Sequence, residues 1–412
     1  MGNSVFSERT LISMKKLAAT GLLIFSSLTL CLGQTTISAP VTIPLEIVTM
    51  TNSTGQPYYK YGIWVGLGGS TTPQLFEFDT GGEGFYAAYG ATNAPWWGTN
   101  STTSSTPFYQ SYGSDNVYTG YIANTAVSLY GSGAAGSTAL ITSGTVSVGQ
   151  ATQISNGSQT LWDSSSPSNV APVQGYFYGD FGLSLKASDN SISNIFTQLN
   201  YDTNSVVAGF IVKAAPFGTT NGASVQVGIL PSQTNNFAIK LNMQGGTNIG
   251  GTYDVYSAEL INLALALTAT NGIYSTNSIA INLDTGNPTP GFHSDDIPAE
   301  LMTDGAIDPG VLLQLLLGNT SIFDLTAGDY YGSNFIYVES RNNNPYLNVG
   351  AQFFQQYEVM FDFQNGIVGL NPLAVPEASQ AALMGSALVG LIVFALIRQA
   401  RRRSRFRPRR ST

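Results

Sequence analysis

The chain is predicted to be all-β and two-lobed, with a cleft between the lobes, and three observations predict it. Short Val, Ile, Tyr and Phe runs alternate with clusters of Ser, Thr, Asn and Gly, the pattern of strands joined by turns. Helical periodicity is scarce, and its best internal candidate, residues 297–317, is interrupted by Gly305 and Pro309. The triplet Asp-Thr-Gly occurs twice, at Asp79-Thr80-Gly81 and Asp284-Thr285-Gly286, once in each half and each time at the end of an alternating apolar run (residues 75–78 and 279–283). At this composition chance supplies about 0.2 such triplets per chain, so a repeated triplet with a repeated lead-in points to two related loops. With 412 residues, 43% of them apolar, there is enough material to core two lobes of ordinary size.

From the N-terminus, Met14-Lys15-Lys16 and the apolar stretch of residues 17–25 form a charged n-region and an h-region, with cleavage expected before Gln34. Residues 1–33 are thus expected to be a signal peptide. The only cysteine, Cys31, lies inside it, so the mature body is expected to hold no disulfide and to rely on core packing. Leu30 is too large for the position before a lipidated cysteine, which argues against a lipoprotein leader.

The body divides into an N-terminal β lobe, residues 34–200, and a C-terminal β lobe, residues 201–374. In each, an apolar strand ends in a carboxylate, a hydroxyl and a Gly that permits a tight turn. Two such loops facing each other bring together Asp79 and Asp284. Like charges that close share one proton, giving a general acid and a general base in one site. The surroundings of these triplets extend the pattern. Residues 58–66 and 73–81 form a strand pair leading into the first. Ser111-Tyr112-Gly113-Ser114 followed by Thr119-Gly120-Tyr121 has the form of a hairpin. Residues 175–183 and 346–350 each carry apolar residues before a glycine, and apolar runs recur over residues 353–362 and 366–370, where the resemblance named next implies closing strands.

In order and spacing these segments resemble the pepsin-like aspartic proteases over most of residues 57–372. The resemblance implies a bilobal pepsin-like aspartic protease fold with the active site in the cleft between lobes, acting on protein or peptide substrates without cofactor or metal. By the same resemblance Asp79 and Asp284 are the catalytic pair and share a water. Thr80 and Thr285 hydrogen-bond across the pseudo-twofold axis. Gly81 and Gly286 let backbone amides reach the carboxylates. Tyr112 and Gly113 sit on a flap that closes over substrate. Two departures stand out. After each Gly the family usually carries Ser or Thr, which bonds the outer carboxylate oxygen, whereas here the positions hold Gly82 and Asn287. Glu83 follows Gly82 and is expected to add negative charge near the pair and raise its apparent pKa values.

Residues 375–412 are a separate tail. Val375-Pro376-Glu377-Ala378-Ser379 precedes an apolar run over 381–397, then an Arg-rich end. The run is at the lower limit for crossing a bilayer, and the Arg cluster would stay cytoplasmic. The layout resembles a bacterial PEP-CTERM sorting signal, with Ala378 where a second Pro is usual. It implies a transmembrane helix, membrane attachment, processing by an exosortase-type enzyme, and a cell-surface location with or without later release. A plain C-terminal anchor is the alternative.

Charge excludes one class of function. Outside the leader and tail, twenty-two acidic residues face only five basic ones, Lys60, Lys186, Lys213, Lys240 and Arg341. So acidic a body repels nucleic acid. The only histidine, His293, reads as a polar loop residue and cannot build a multi-His metal site. The function expected is a surface-anchored aspartic endopeptidase. The alternatives are a non-catalytic binding or inhibitor protein on the same fold, and a β-rich surface or matrix protein.

Overall fold

The computed structural model of the chain describes residues 33–373, apart from 53–54, 91–93, 169, 187–188, 216–221, 247–255, 257–258, 271, 329–333 and 341–344. All but the last residue of the signal peptide expected over residues 1–33, and the whole tail expected from residue 375, lie outside the described residues. Among the described residues, no helix is long and apolar enough to cross a membrane. Their strands form two nine-stranded sheets, one six-stranded sheet and a two-stranded parallel pair. The chain is all-β and bilobal.

The first nine-stranded sheet is built from residues 46–163 and Gly179–Gly182. At its centre Gln74–Asp79 runs antiparallel to Pro57–Leu67 on one side and parallel to Gly179–Gly182 on the other. A strand with neighbours on both edges and cover on both faces must be apolar nearly throughout, hence Leu75, Phe76 and Phe78. Alternation sends Phe76 and Phe78 to one face and Glu77 and Asp79 to the other. The second nine-stranded sheet, from residues 259–348, repeats the arrangement. There Gly272–Asn282 lies between antiparallel Glu259–Ala269 and parallel Tyr346–Asn348, and the chain runs on into Asp284. The same local wiring therefore delivers a carboxylate at each of two strand ends.

The six-stranded sheet has Val207–Lys213 at its centre, between Tyr357–Asp362 and Ser224–Ile229. Its far edge is Val41–Pro44, so the N-terminal segment crosses into a sheet otherwise made after residue 206. A ladder of rings ties this sheet to the first. Phe85 meets Phe181 at 4.9 Å, Phe181 meets Phe196 at 5.7 Å, Phe196 meets Phe210 at 5.1 Å, and Phe210 stacks on Phe361 at 4.6 Å. All five are buried, and edge-to-face pairs of this kind add about 0.5–1.5 kcal/mol each beyond their burial.

Three local expectations are corrected. Residues 297–317 hold no long helix: a three-residue 3₁₀ turn is followed by strands, of which Leu312–Leu317 pairs with both Glu259–Ala269 and Thr320–Thr326. Leu313 and Leu315 are buried while Leu312 and Leu316 are half-buried and Leu317 is exposed, so sheet burial wins over helix propensity. Conversely, residues 350–356, whose end was read as strand, form a short α-helix before Tyr357–Asp362 begins. His293 lies on the strand Gly291–His293, stacked on Tyr346 at 4.1 Å with Nδ1 3.1 Å from Glu339, and is not a loop residue on the surface.

Candidate active site

The two triplets meet. Thr80 Oγ1 donates to the Leu283 carbonyl at 2.7 Å, and Thr285 Oγ1 donates to the Phe78 carbonyl at 2.7 Å. Each hydroxyl in turn accepts the other loop's backbone N–H, Thr80 N to Thr285 Oγ1 and Thr285 N to Thr80 Oγ1, both at 3.0 Å. The four bonds form a closed, symmetric lock between residues more than two hundred positions apart. Both threonines are buried, so their polar groups need these partners. At a typical net of about 1 kcal/mol per bond the lock is worth several kcal/mol, enough to hold the loops in one relative position.

Asp79 and Asp284 stand on either side of this lock. Asp79 Oδ1 accepts the N–H groups of Gly81 and Gly82, both at 2.8 Å. Asp284 Oδ1 accepts those of Gly286 at 2.7 Å and Asn287 at 3.0 Å. The glycines do more than free the backbone. A Cβ at position 81 would stand 2.7 Å from Asp284 Oδ1, and one at 286 would stand 2.6 Å from Asp79 Oδ1. Each Gly is the floor under the opposite carboxylate. Gly286→Ala is therefore expected to displace Asp79, and if the pair is catalytic it lowers kcat/KM for peptide cleavage by about 10²-fold, the usual consequence of misplacing a reacting group by an ångström. Steady-state kinetics beside a melting curve check this, and wild-type turnover in the variant would refute it.

The outer oxygens differ between lobes. Asp284 Oδ2 accepts the side-chain amide of Asn348 at 2.5 Å. Asn287, which the family pattern would replace with a hydroxyl, turns its amide to Tyr337 Oη at 2.9 Å. Gly82 has no side chain to offer Asp79, and the neighbour there is Asp180, whose Oδ2 would lie 2.6 Å from a Cβ at position 82 while Asp79 Oδ2 would lie 2.8 Å away.

Negative charge is concentrated around Asp79. Burial, then Asp284, Asp180 and Glu77, pushes its carboxyl well above the ordinary range. Beneath it Lys60 and Glu77 form a buried ion pair. Burial pulls the Lys60 ammonium down, but Glu77, with Asp79 and Asp284 beyond it, outweighs that and leaves it above the usual lysine value. Glu83 pairs its carboxylate with Lys186 at 2.8 Å on a half-exposed side chain, so a lysine offsets the charge it was expected to bring to the pair. The larger contributions to Asp79 come from Asp284, Asp180 and Glu77. Among the described residues, no group of three or more His, Cys, Asp or Glu is arranged to hold a metal ion.

Tyr112 and Gly113 lie at the turn of a long hairpin, Ser101–Ser111 with Asn116–Tyr130. Tyr112 N donates to Asn116 O, and Asp115 N to Tyr112 O, both at 3.0 Å. Gly113 is exposed at the tip with open space around it. Tyr112 packs edge-to-face on Tyr118 at 5.4 Å. Its hydroxyl is buried and directed at Asp180, without forming a hydrogen bond of full geometry. The tip of the hairpin thus reaches down to the Asp79 side of the site.

Asn348, Asp180, Lys60 and Glu77 were missed in the sequence. A signal was present: the glycine-ended segments read Asp180-Phe181-Gly182 and Asn348-Val349-Gly350, so a polar residue stands at the same place in both lobes.

With this geometry in hand, comparison with solved structures places the fold. The chain is similar to the crystal structure of an aspartic proteinase from Irpex lacteus, with a TM-score of 0.50 and 16% identity over 83% of this chain and 99% of that one. The fold is that of the pepsin-like aspartic proteinases. No family model and no curated protein sequence matches the chain.

Proposed function

We propose that this chain is an aspartic endopeptidase, and the observation that carries the proposal is the mutual lock of Thr80 and Thr285 with a carboxylate on either side. In this reading Asp79 and Asp284 share one proton and hold a water between them. The ionised member takes a proton from that water as it attacks the scissile carbonyl. The protonated member donates to the carbonyl oxygen, and the proton then passes to the leaving amine. The N–H pairs on each Oδ1 fix the carboxylates and stabilise the ionised form. The hairpin carrying Tyr112 and Gly113 covers the peptide and excludes water. The catalytic lobes are residues 34–200 and 201–374. The leader and the PEP-CTERM-like tail support an exported, membrane-tethered protein processed by an exosortase-type enzyme. Cleavage of a peptide library by the full-length chain, blocked by pepstatin, is the expected result. Absent cleavage would remove the protease reading and leave a binding protein, and cleavage that pepstatin leaves untouched would place the chemistry outside the aspartate pair.

Activity is expected in acid, falling as the shared proton is lost. Stability should follow the same direction. The carboxyls of Asp79 and Asp180 sit well above their ordinary values, so the folded state keeps protons that the unfolded chain releases near about pH 4. The stabilisation this gives is complete below that pH and is lost as pH rises through the raised values. Asp163 and Asp202 are shifted down by local turn hydrogen bonds and act oppositely, but both lie at the surface, where solvent screens them. The melting temperature should therefore be higher at pH 5 than at pH 8; a curve that rises toward pH 8 would contradict this.

A further inference from the structure

Asp180 is a buried carboxyl that makes no hydrogen bond of full geometry. It is 3% exposed, the polar group directed at it is the Tyr112 hydroxyl, and it occupies a central strand rather than a surface. A buried, unsatisfied carboxylate costs several kcal/mol, so its persistence beside a reactive pair calls for a role.

The internal symmetry of the fold supplies one. Asp180 is paired in register with Glu77, two residues before Asp79. Asn348 is paired in register with Asn282, two residues before Asp284. The two side chains are therefore equivalent across the pseudo-twofold axis, and Asn348 is seen donating to the outer oxygen of Asp284. On the other side Asp180 Oδ2 and Asp79 Oδ2 close over Gly82, so that a Cβ there would stand only 2.6 Å and 2.8 Å from them. A side chain at 82 and a carboxyl at 180 cannot both fit there.

We propose that Asp180 is the positioning residue of Asp79, carrying its own proton and donating it in a hydrogen bond to Asp79 Oδ2, as Asn348 does for Asp284. The proposal rests on the protease reading above and adds to it a third carboxyl, which takes the place of the hydroxyl missing at Gly82. The surroundings favour the protonated form. Glu77 and Asp79 face Asp180 from the neighbouring strand, and Asp284 from the other lobe; Lys60 is the opposing charge, and it is engaged by Glu77. Burial, then Glu77, pushes the Asp180 carboxyl well up, against the pull of the Tyr112 hydroxyl and Lys60. Tyr118 is the remaining titratable group nearby, and it and Tyr112 are pushed up by burial and stay protonated. Tyr112 abuts Asp180 from above, so the hairpin tip and Asp79 share this carboxyl as a common neighbour.

The test uses the full-length chain with Asp180→Asn, Asp180→Leu and the double variant Gly82→Ser/Asp180→Ala. Asn keeps a donor and should leave the acid limb of the kcat/KM profile in place. Leu removes the donor that stabilises ionised Asp79, so that limb should move up by about one pH unit. The same variant should lose about tenfold in kcat with little change in KM, and the double variant should regain most of it. Carbon-13 NMR of aspartate-labelled wild-type protein should show, besides the signal of the Asp79–Asp284 pair, a further carboxyl that keeps its proton well above pH 4 and is missing in Asp180→Asn. The proposal is overturned if Asn and Leu lower activity alike without moving the limb, or if the Asp180 signal titrates at an ordinary value. A wild type that cleaves no peptide would instead defeat the protease reading, and the NMR titration would still decide whether Asp180 holds its proton.

Discussion

Asp79→Asn and Asp284→Asn are each expected to abolish peptide cleavage while leaving the melting temperature close to that of the parent. The amide has nearly the shape of the carboxyl and keeps an oxygen for the N–H groups of Gly81 and Gly82, or of Gly286 and Asn287. It cannot share the pair's proton or take one from water. Loss of a positioned general acid or base costs about 10²–10⁴-fold, and a pair acting as one unit has no second route, so the upper end applies. The measurement is kcat/KM on a peptide found with the parent chain, with circular dichroism to confirm folding. Turnover within tenfold of the parent in either variant would place the chemistry elsewhere.

The second large effect concerns stability. Lys60→Met is expected to destabilise the protein by about 3–5 kcal/mol, because it strands Glu77 as a buried, unpaired carboxylate. The two side chains are 8% and 9% exposed, too little for water to take over the lost partner. Lys60 is also the cation nearest to Asp180, so its removal should raise the proton affinity of that carboxyl and make the loss larger at pH 8 than at pH 5. Lys60→Met/Glu77→Met, which replaces the pair by apolar groups of similar length, should recover most of the stability. Urea unfolding at the two pH values measures both. A single variant within 1 kcal/mol of the parent would mean that the pair is solvated and that the electrostatic picture around Asp79 is wrong.

Much of the site was legible in the residue order, since its key elements are short and local. An apolar strand followed by Asp-Thr-Gly carries its own turn chemistry, so Asp79, Thr80, Gly81 and their counterparts could be named before any contact was known. The hairpin around Tyr112 was legible for the same reason. Where burial outweighs local preference, the reading failed. Residues 297–317 are leucine-rich enough to suggest a helix, yet Leu312–Leu317 is claimed from both edges by partner strands. Glu83 comes two residues after the triplet and was expected to charge it, but tertiary packing puts it beside Lys186, 103 residues away.

What residue pattern settles for this protein is the all-β class, the duplication of the Asp-Thr-Gly loops and the acidic, nearly histidine-free body, because each follows from composition or short-range periodicity. What packing alone decides is which side chains surround the carboxylates. Asn348 is 64 residues from Asp284, and Asp180 is about a hundred from Asp79. They reach the site only because a parallel strand must enter the sheet next to each loop, and the register of that pairing is set by the burial of whole faces, which no local window of sequence contains.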